Sequence, residues 1–525
     1  MAADTSHTAD LSAAMVLAPT DAADWLVIAP VLIPVIFGAS LLMFRKETRQ
    51  HAIVALIAFV LLFAADVALL FHVMEKGRVV MTMGRWLPPF GISFTVDLLG
   101  AIFAVTAGFV ALAGCLYSLR DIDSTGRRYG YFPFFLLMMA GVHGAFLTGD
   151  IFNLYVWFEV LLISSFGMLV LGSEHEQIDG ATKYAFLNLV ATTLFLIATG
   201  YLYGIFGTLN MADIARKVAE GVPGAPLMTL GALYAFAFGM KAAAFPVNFW
   251  LPASYHTPRI VVSALFAGLL TKVGIYALLR TMVMLFPVQR DWLAETLAWA
   301  AAATMIIGVL GALAQADLRR TMGFLVVSGI GTMLAGIALG SPLGINGAVF
   351  YAVHSMIAMT ALYMLTGLME EKGGSSSLHR LAGLYRAHPF MAAVALVLFF
   401  AAAGLPPFSG VWPKVMVVKA ALDVGAWWLA FAILLTGLLT TITLGRVFAL
   451  AFWRNEVDNQ AIPEPLGAVD HTWRYGYLPV LMLSAAVIAI GIWPQPLMAL
   501  ANGAATGILE PGAYIGSVFP EGAVK

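Results

Sequence analysis

Mostly apolar stretches of about 20 residues recur along almost the whole chain, and each is long enough to cross a bilayer as a helix. Hydrophobic residues make up 61% of the 525 positions and charged residues only 11%, too few charges to coat a water-soluble particle of this size. The apolar residues run continuously and do not alternate, which excludes a transmembrane β-barrel. We expect an all-α polytopic membrane protein without strands and with about fourteen transmembrane helices. The expected spans lie near 25–44, 51–73, 96–118, 131–148, 150–172, 181–204, 227–250, 261–280, 293–314, 321–340, 346–369, 389–423 (broken), 428–453 and 475–498.

Composition also limits the possible functions. A single cysteine, Cys115, excludes a disulfide framework, a cysteine zinc site and an iron–sulfur redox subunit. A formal net charge of -1 points to no nucleic-acid partner. Metal-ligand clusters and phosphate-binding glycine motifs are missing from the sequence, so neither a metal nor a cofactor is predicted. The polar segment 1–24 has no Lys or Arg, and we expect a solvated tail there and not a signal peptide.

Basic residues are distributed unequally between the two sets of loops. An even number of spans places both termini on the same side of the membrane. Loops after odd-numbered spans carry fifteen Lys and Arg, and loops after even-numbered spans carry seven, with Arg280 among the seven. Because loops rich in Lys and Arg stay in the cytoplasm, we expect a protein of the bacterial inner membrane with both termini on the periplasmic side.

The segment 141–200 repeats at 308–367 without gaps, with 16 identities in 60 positions. The matches include one Asp pair (Asp150 and Asp317) and one Tyr pair (Tyr184 and Tyr351), which apolar composition alone does not explain. The repeat carries span four onto span nine, an odd shift, so we expect two inverted five-helix repeats (spans 4–8 and 9–13), each with a broken helix, as in transporters. The predicted units, in chain order, are a tail (1–24), a three-helix segment (25–130), the two repeats (131–286 and 287–455), and a loop, final helix and tail (456–525).

Five ionisable residues fall inside apolar spans: Glu159, Lys241, Lys272, His354 and Lys414. A charge at the bilayer centre costs about 2.5–3.5 kcal/mol on insertion scales, so such residues usually serve ion transport. Lys241 lies before a proline break, where a free helix carbonyl forms a local negative pole, and Lys414 follows a second proline break. A row of such groups is typical of a proton path. Glu159 as a neutral core carboxyl and His354 as a satisfied core imidazole are alternatives.

Other ionisable residues have weaker signals. Lys183 at a span end and His256 at a loop edge are possible accessory residues on an entry path. Asp97 and His143 lie near span ends, where interfacial roles are expected. Asp66 lies deeper in its span, and the sequence assigns it no role.

Taken together, these residues resemble the antiporter-like family. A mid-span Glu, a Lys before a Pro break, a Lys in the next span, a His, and a Lys after Pro-Pro-Phe-Ser-Gly are the features that carry the resemblance. The family includes the large membrane subunits of respiratory complex I and of Mrp-type multisubunit cation/proton antiporters. It implies that Glu159 and Lys241 form the key pair of a first half-channel. It further implies that Lys272 connects the halves, that His354 continues the axis and that Lys414 gates the second half-channel.

Two details separate the branches of this family: the residues at 248 and 255, and Lys414, where one complex I subunit has Glu instead. Asn248 and Tyr255 stand where complex I subunits usually have His, and this version is similar to the D-type Mrp subunits. Arg259 departs from the D pattern, in which Pro is commoner. The resemblance implies an antiporter subunit and not an enzyme, with A-, B-, C-, E-, F- and G-type Mrp subunits, H⁺, Na⁺ or K⁺, and membrane lipid as partners. The alternatives are a proton-pumping subunit of complex I or of a membrane hydrogenase, and a passive scaffold or channel.

Overall fold

The computed structural model describes residues 15–16, 20–44, 48–455 and 476–519. The expected tail 1–24 and the loop within 456–525 therefore lie largely outside the described residues. Arg45, Lys46 and Arg474, which contributed to the loop charge count, lie outside them as well.

Helices joined by mostly short connections make up most of the described chain. In chain order they are α1 (Ala29–Met43), α2 (Thr48–Lys76), α3 (Leu98–Asp121), α4 (Ser124–Arg128), α5 (Tyr131–Leu147), α6 (Ile151–Leu169), α7 (His175–Phe206), α8 (Met211–Glu220), α9 (Leu227–Ala242), α10 (Trp250–Ser254), α11 (Ile260–Leu285), α12 (Pro287–Ala314), α13 (Leu318–Leu339), α14 (Pro342–Gly373), α15 (Leu384–Ala387), α16 (Pro389–Ala403), α17 (Val411–Asp423), α18 (Trp427–Trp453), α19 (Leu478–Ile492), α20 (Gln495–Leu509) and α21 (Gly512–Val518). Short 3₁₀ turns span Ala22–Val27 and Met83–Arg85.

Nine helices among the described residues are long and apolar enough to cross a membrane, or ten if the bent pair α19 and α20 forms one span. Four shorter apolar helices, α1, α5, α9 and α16, occupy further expected spans. The chain is thus a helical multi-pass membrane protein, and about fourteen crossings stays a prediction. The expected last span, 475–498, is wrong at its end, because the chain bends by 82° between α19 and α20.

The expectation that the chain has no strands is also wrong. Strands β1 (Val79–Thr82) and β2 (Ser93–Val96) form an antiparallel hairpin between α2 and α3. Each strand has only four residues, too few for its alternation to stand out from the apolar spans on either side.

Close contacts between helices recur at the offset of the sequence repeat. A Cβ on Gly141 of α5 would lie 2.7 Å from the backbone nitrogen of Leu161 of α6. A Cβ on Gly308 of α12 would lie 2.5 Å from the backbone nitrogen of Ser328 of α13. Both residues of the second pair follow those of the first by 167 positions (308 − 141 and 328 − 161). The two units therefore share local packing, while their inverted orientation stays a prediction.

Two apolar helices stop inside their expected spans. Helix α9 ends at Ala242, and Ala243 takes the left-handed conformation with φ 61°. Helix α16 ends at Ala403, and Gly404 takes the same conformation with φ 82°. Lys241 therefore lies in the last turn of α9 and not in the middle of a continuous helix.

Helices α11 and α14 lie at the centre of the bundle. The most apolar 18-residue window of each is 100% buried, whereas the corresponding window of α2 is 33% buried and faces outward. Lys272 is on α11 and His354 is on α14, so these two polar residues lie where the protein surrounds them on all sides.

Candidate functional site

The five expected residues of the row lie on five different helices, α6, α9, α11, α14 and α17. Electrostatic interactions link Glu159 to Lys241, and His354 to both Lys272 and Lys414. The two groups meet where α9 packs on α11. A Cβ on Gly274 of α11 would lie only 2.7 Å from the backbone nitrogen of Ala242 of α9, which shows how closely the helices approach. The five residues, called the row below, thus fall into two groups on helices that contact each other.

Lys241 is only 5% exposed, and its Nζ lies 4.8 Å from the centre of the Phe158 ring. The face of an aromatic ring carries partial negative charge, which stabilises an ammonium away from water. Glu159 follows Phe158 directly and is partly exposed. The described ion pairs do not join Glu159 to Lys241, so the carboxylate acts on the ammonium from beyond direct contact.

Lys272 is fully buried, and its Nζ donates to the carbonyl of Ala267 at 2.6 Å. The backbone winds more loosely over Phe266–Leu270, as a π-helical turn, a feature frequent at functional sites in helices. An ammonium has three N–H donors, and this is the one hydrogen bond that the structure describes for Lys272. The hydroxyl of the adjacent Thr271 is buried without a partner. Both groups therefore have hydrogen-bonding capacity left for water.

His354 is 1% exposed and contacts the segment between α16 and α17. Its Nδ1 lies 2.7 Å from the hydroxyl of Ser409, whereas its Nε2 is buried without a partner. A Cβ at Gly410 would lie 3.0 Å from that Nε2 and 2.0 Å from the carbonyl oxygen of Ala401. Glycine is therefore required for this close approach. The free ring nitrogen of His354 can bind or release a proton without breaking its bond to Ser409.

Lys414 caps the carboxyl end of α16. Its Nζ donates to the carbonyls of Ala403 at 2.6 Å and Ala402 at 3.3 Å, where the helix dipole favours a positive charge. A cavity of ≈ 10 Å³ adjoins it, lined by Ser328 and Tyr351 among others, and one water needs about that much room. A negative helix end thus binds Lys414, whereas Lys241, beside which such an end was expected, contacts an aromatic ring.

The two possible accessory residues lie apart from the row, in a charged vestibule. This cavity of ≈ 740 Å³ is lined by Lys183, His256, Asp179 and Arg320 among others. Lys183 is exposed and pairs with Asp179 at 2.5 Å. Nε2 of His256 lies 3.0 Å from the Arg320 guanidinium. Burial and this positive neighbour hold the pKa of His256 below its ordinary value.

The structure contains two buried charged pairs that the sequence does not predict. Arg280, counted among the loop residues, is fully buried in α11 and binds Asp97 through bonds of 2.5 and 2.7 Å. The interfacial role expected for His143 is wrong, because it is fully buried and lies 3.0 Å from Asp66. Apolar residues flank each of these positions in the sequence, and this pattern could have indicated that the side chains are buried.

Known proteins resemble this chain along most of its length. The family described as NADH:quinone oxidoreductase/Mrp antiporter, TM, matches residues 148–440. The D-type Na(+)/H(+) antiporter subunit of Alkalihalophilus pseudofirmus is 35% identical over 94% of this chain and 99% of the relative, and that of Bacillus subtilis is 34% identical over the same shares. A chain in the Mrp complex structure from Dietzia sp. superposes with a TM-score of 0.87 at 29% identity, over 95% of this chain and 100% of that one. The chain therefore belongs to the NADH:quinone oxidoreductase/Mrp antiporter family, and within it to the branch of the D-type Mrp subunits.

Proposed function

We propose that this chain is the proton-translocating subunit of a multisubunit antiporter that exchanges cytoplasmic Na⁺ or K⁺ for external H⁺. Relatives that match nearly its whole length are named as Na⁺/H⁺ antiporter subunits. The observation that carries the proposal is the row from Glu159 to Lys414 through two fully buried helices. Four of its residues are cationic or can become so, in a region where isolated charges are costly.

In this proposal the proton enters beside Glu159 and moves along the row. Lys241 exchanges a proton with Lys272 where α9 meets α11. His354, between Lys272 and Lys414, accepts the proton on its free Nε2. Because like charges repel across a water-poor interior, a proton arriving at one residue drives the proton off the next. Movement of Glu159 relative to Lys241 sets the timing.

Membrane placement follows from the same proposal. About fourteen crossings would put both termini in the periplasm. Segments 131–286 and 287–455 would form the inverted repeats, with 25–130 and the helix of 456–525 as additions. Lys183 and His256 would line the entry path from the side that holds the loops after odd-numbered spans. The supporting observation is that the vestibule includes residues after α6, α10, α12 and α14.

The alternative within the family is a proton-pumping subunit of complex I or of a membrane hydrogenase. The site favours the antiporter, because Asn248 and Tyr255 replace the expected histidines. Asn248 is 6% exposed and Tyr255 is fully buried with an unpartnered hydroxyl. These positions are therefore internal, and their identity bears on the polar interior of the chain and not on its surface.

The experiment is to tag the chain in its native host, solubilise it gently and identify the co-purified proteins by mass spectrometry. We expect a set of hydrophobic antiporter subunits without redox proteins. Iron–sulfur or flavin subunits in stoichiometric amounts would contradict the proposal and favour the oxidoreductase alternative. A chain recovered alone after mild cross-linking would contradict any multisubunit assembly.

A further inference from the structure

A second pair of ionisable side chains lies outside the proposed row. Asp66 of α2 and His143 of α5 are both 0% exposed, and Asp66 Oδ2 lies 3.0 Å from His143 Nε2. The other carboxylate oxygen of Asp66, Oδ1, is buried without a hydrogen-bond partner. Among the described residues, His143 is the one charged group that acts on Asp66, and Asp66 is the one that acts on His143.

The geometry of this pair fixes how many protons it holds. His143 Nδ1 lies 2.9 Å from the carbonyl oxygen of Met139, which can only accept, so Nδ1 carries a hydrogen. Nε2 and Oδ2 would then face each other with lone pairs unless a proton lies between them. The pair therefore holds one proton in this conformation, either on the imidazole or on the carboxyl. Loss of that proton would leave a net negative charge in the buried interior.

The pair lies at the depth of Glu159 in the bundle. Gly141 and Gly144, on either side of His143, pack against Leu161 and Trp157, and Glu159 lies between these two residues on α6. The crossing of α5 and α6 therefore puts His143 and Glu159 at one level. Position 310, the counterpart of His143 in the second repeat, is a leucine, so the second unit has no equivalent of this imidazole.

We propose that Asp66 and His143 form a second proton-binding site, separate from the row, which takes up and releases one proton beside the Glu159 end of the path. This inference rests on the proposed proton transport. A pair that served only to hold α2 against α5 would need a hydrogen bond but no exchangeable proton. The unpartnered Oδ1 of Asp66 gives the carboxyl a free oxygen that can accept an arriving proton.

The test uses Asp66→Asn in the complete complex, because an asparagine amide can donate to His143 Nε2 and preserve the contact without a titratable group. Infrared difference spectra of wild type minus Asp66→Asn, recorded across pH without any ion gradient, should contain a carboxyl signal that titrates. Exchange in vesicles should fall relative to wild type while assembly and thermal stability are retained. Asp423→Asn, at an exposed position on α17, is the matched control and should leave exchange unchanged.

A purely structural pair would give a different result. Asp66→Asn would then exchange ions at the wild-type rate with the wild-type pH profile, and no carboxyl signal would titrate. Either finding overturns the inference. If Asp66→Asn fails to assemble, His143→Gln takes its place, since its amide can donate to an ionised Asp66, and wild-type exchange by that variant would overturn the inference equally. The infrared signal is read without transport, so it can appear even if the proposed row fails its own test.

Discussion

Replacing Arg280 by glutamine should destabilise the protein strongly. The guanidinium is fully buried and makes two bonds to Asp97, at 2.5 and 2.7 Å. Its Nε also donates to the hydroxyl of Tyr276 at 2.9 Å, and its centre lies 5.4 Å from the Tyr514 ring. These contacts join α11 to α3 and to the carboxyl-terminal helix α21. Arg280→Gln removes the bonded partner of the buried Asp97 carboxylate and leaves Arg78 as a positive group that acts on it.

Removing one member of a buried ion pair costs about 3–5 kcal/mol, because the remaining charge stays desolvated. We expect Arg280→Gln to lose that amount of stability, measured as thermal or denaturant unfolding of the purified complex in detergent. The double variant Arg280→Gln with Asp97→Asn should recover part of the loss, since no charge is then buried. Lys419→Ala, which breaks an exposed pair with Asp423, should change nothing measurable. Wild-type stability of the single Arg280→Gln variant would show that the buried pair does not stabilise the fold.

Two further predictions concern helix packing and the vestibule. Gly144→Ala and Gly311→Ala should each lower the free energy of unfolding by about 1–3 kcal/mol, because the new methyl groups would lie 2.2 and 2.4 Å, respectively, from an aromatic ring of the next helix. Gly200→Ala is the control and should lower it by nothing, since no atom lies within 4 Å of the new methyl group. Equal losses of stability in all three variants would contradict the shared packing. Arg320→Gln should raise the pKa of His256, because it removes a positive neighbour that holds this pKa down. Neutral imidazole reacts with diethyl pyrocarbonate, so the pH midpoint of modification should move upward in the variant, and an unmoved midpoint would contradict the assigned cause.

Charges in apolar spans could be found from the sequence, because a lone charge is costly in a bilayer and therefore conspicuous. Glu159, Lys241, Lys272, His354 and Lys414 can be recognised in this way, while their role as one proton path stays a prediction. The breaks after α9 and α16 could be predicted as well, since proline cannot continue a helix.

Partners across the bundle could not be predicted in the same way. Asp66 and His143 are 77 residues apart, and Asp97 and Arg280 are 183 apart. Their pairing depends on which helices pack together, which local apolar periodicity does not specify. The predicted span 261–280 places Arg280 among the loop residues, although apolar residues continue to Phe286. The hairpin between α2 and α3 was missed because its strands are short and follow a long helix.

The most direct test of the central claim is cation-dependent proton exchange by Lys241→Ala in the fully assembled complex. Everted membrane vesicles would be energised, and the collapse of the proton gradient on adding Na⁺ or K⁺ would be followed with a pH-sensitive dye. Lys419→Ala serves as the control, because Lys419 is exposed and paired with Asp423 outside the row. We expect Lys241→Ala to abolish exchange, and we expect the control to exchange like wild type. Robust exchange by an assembled Lys241→Ala complex would contradict the proposal that protons pass along this row.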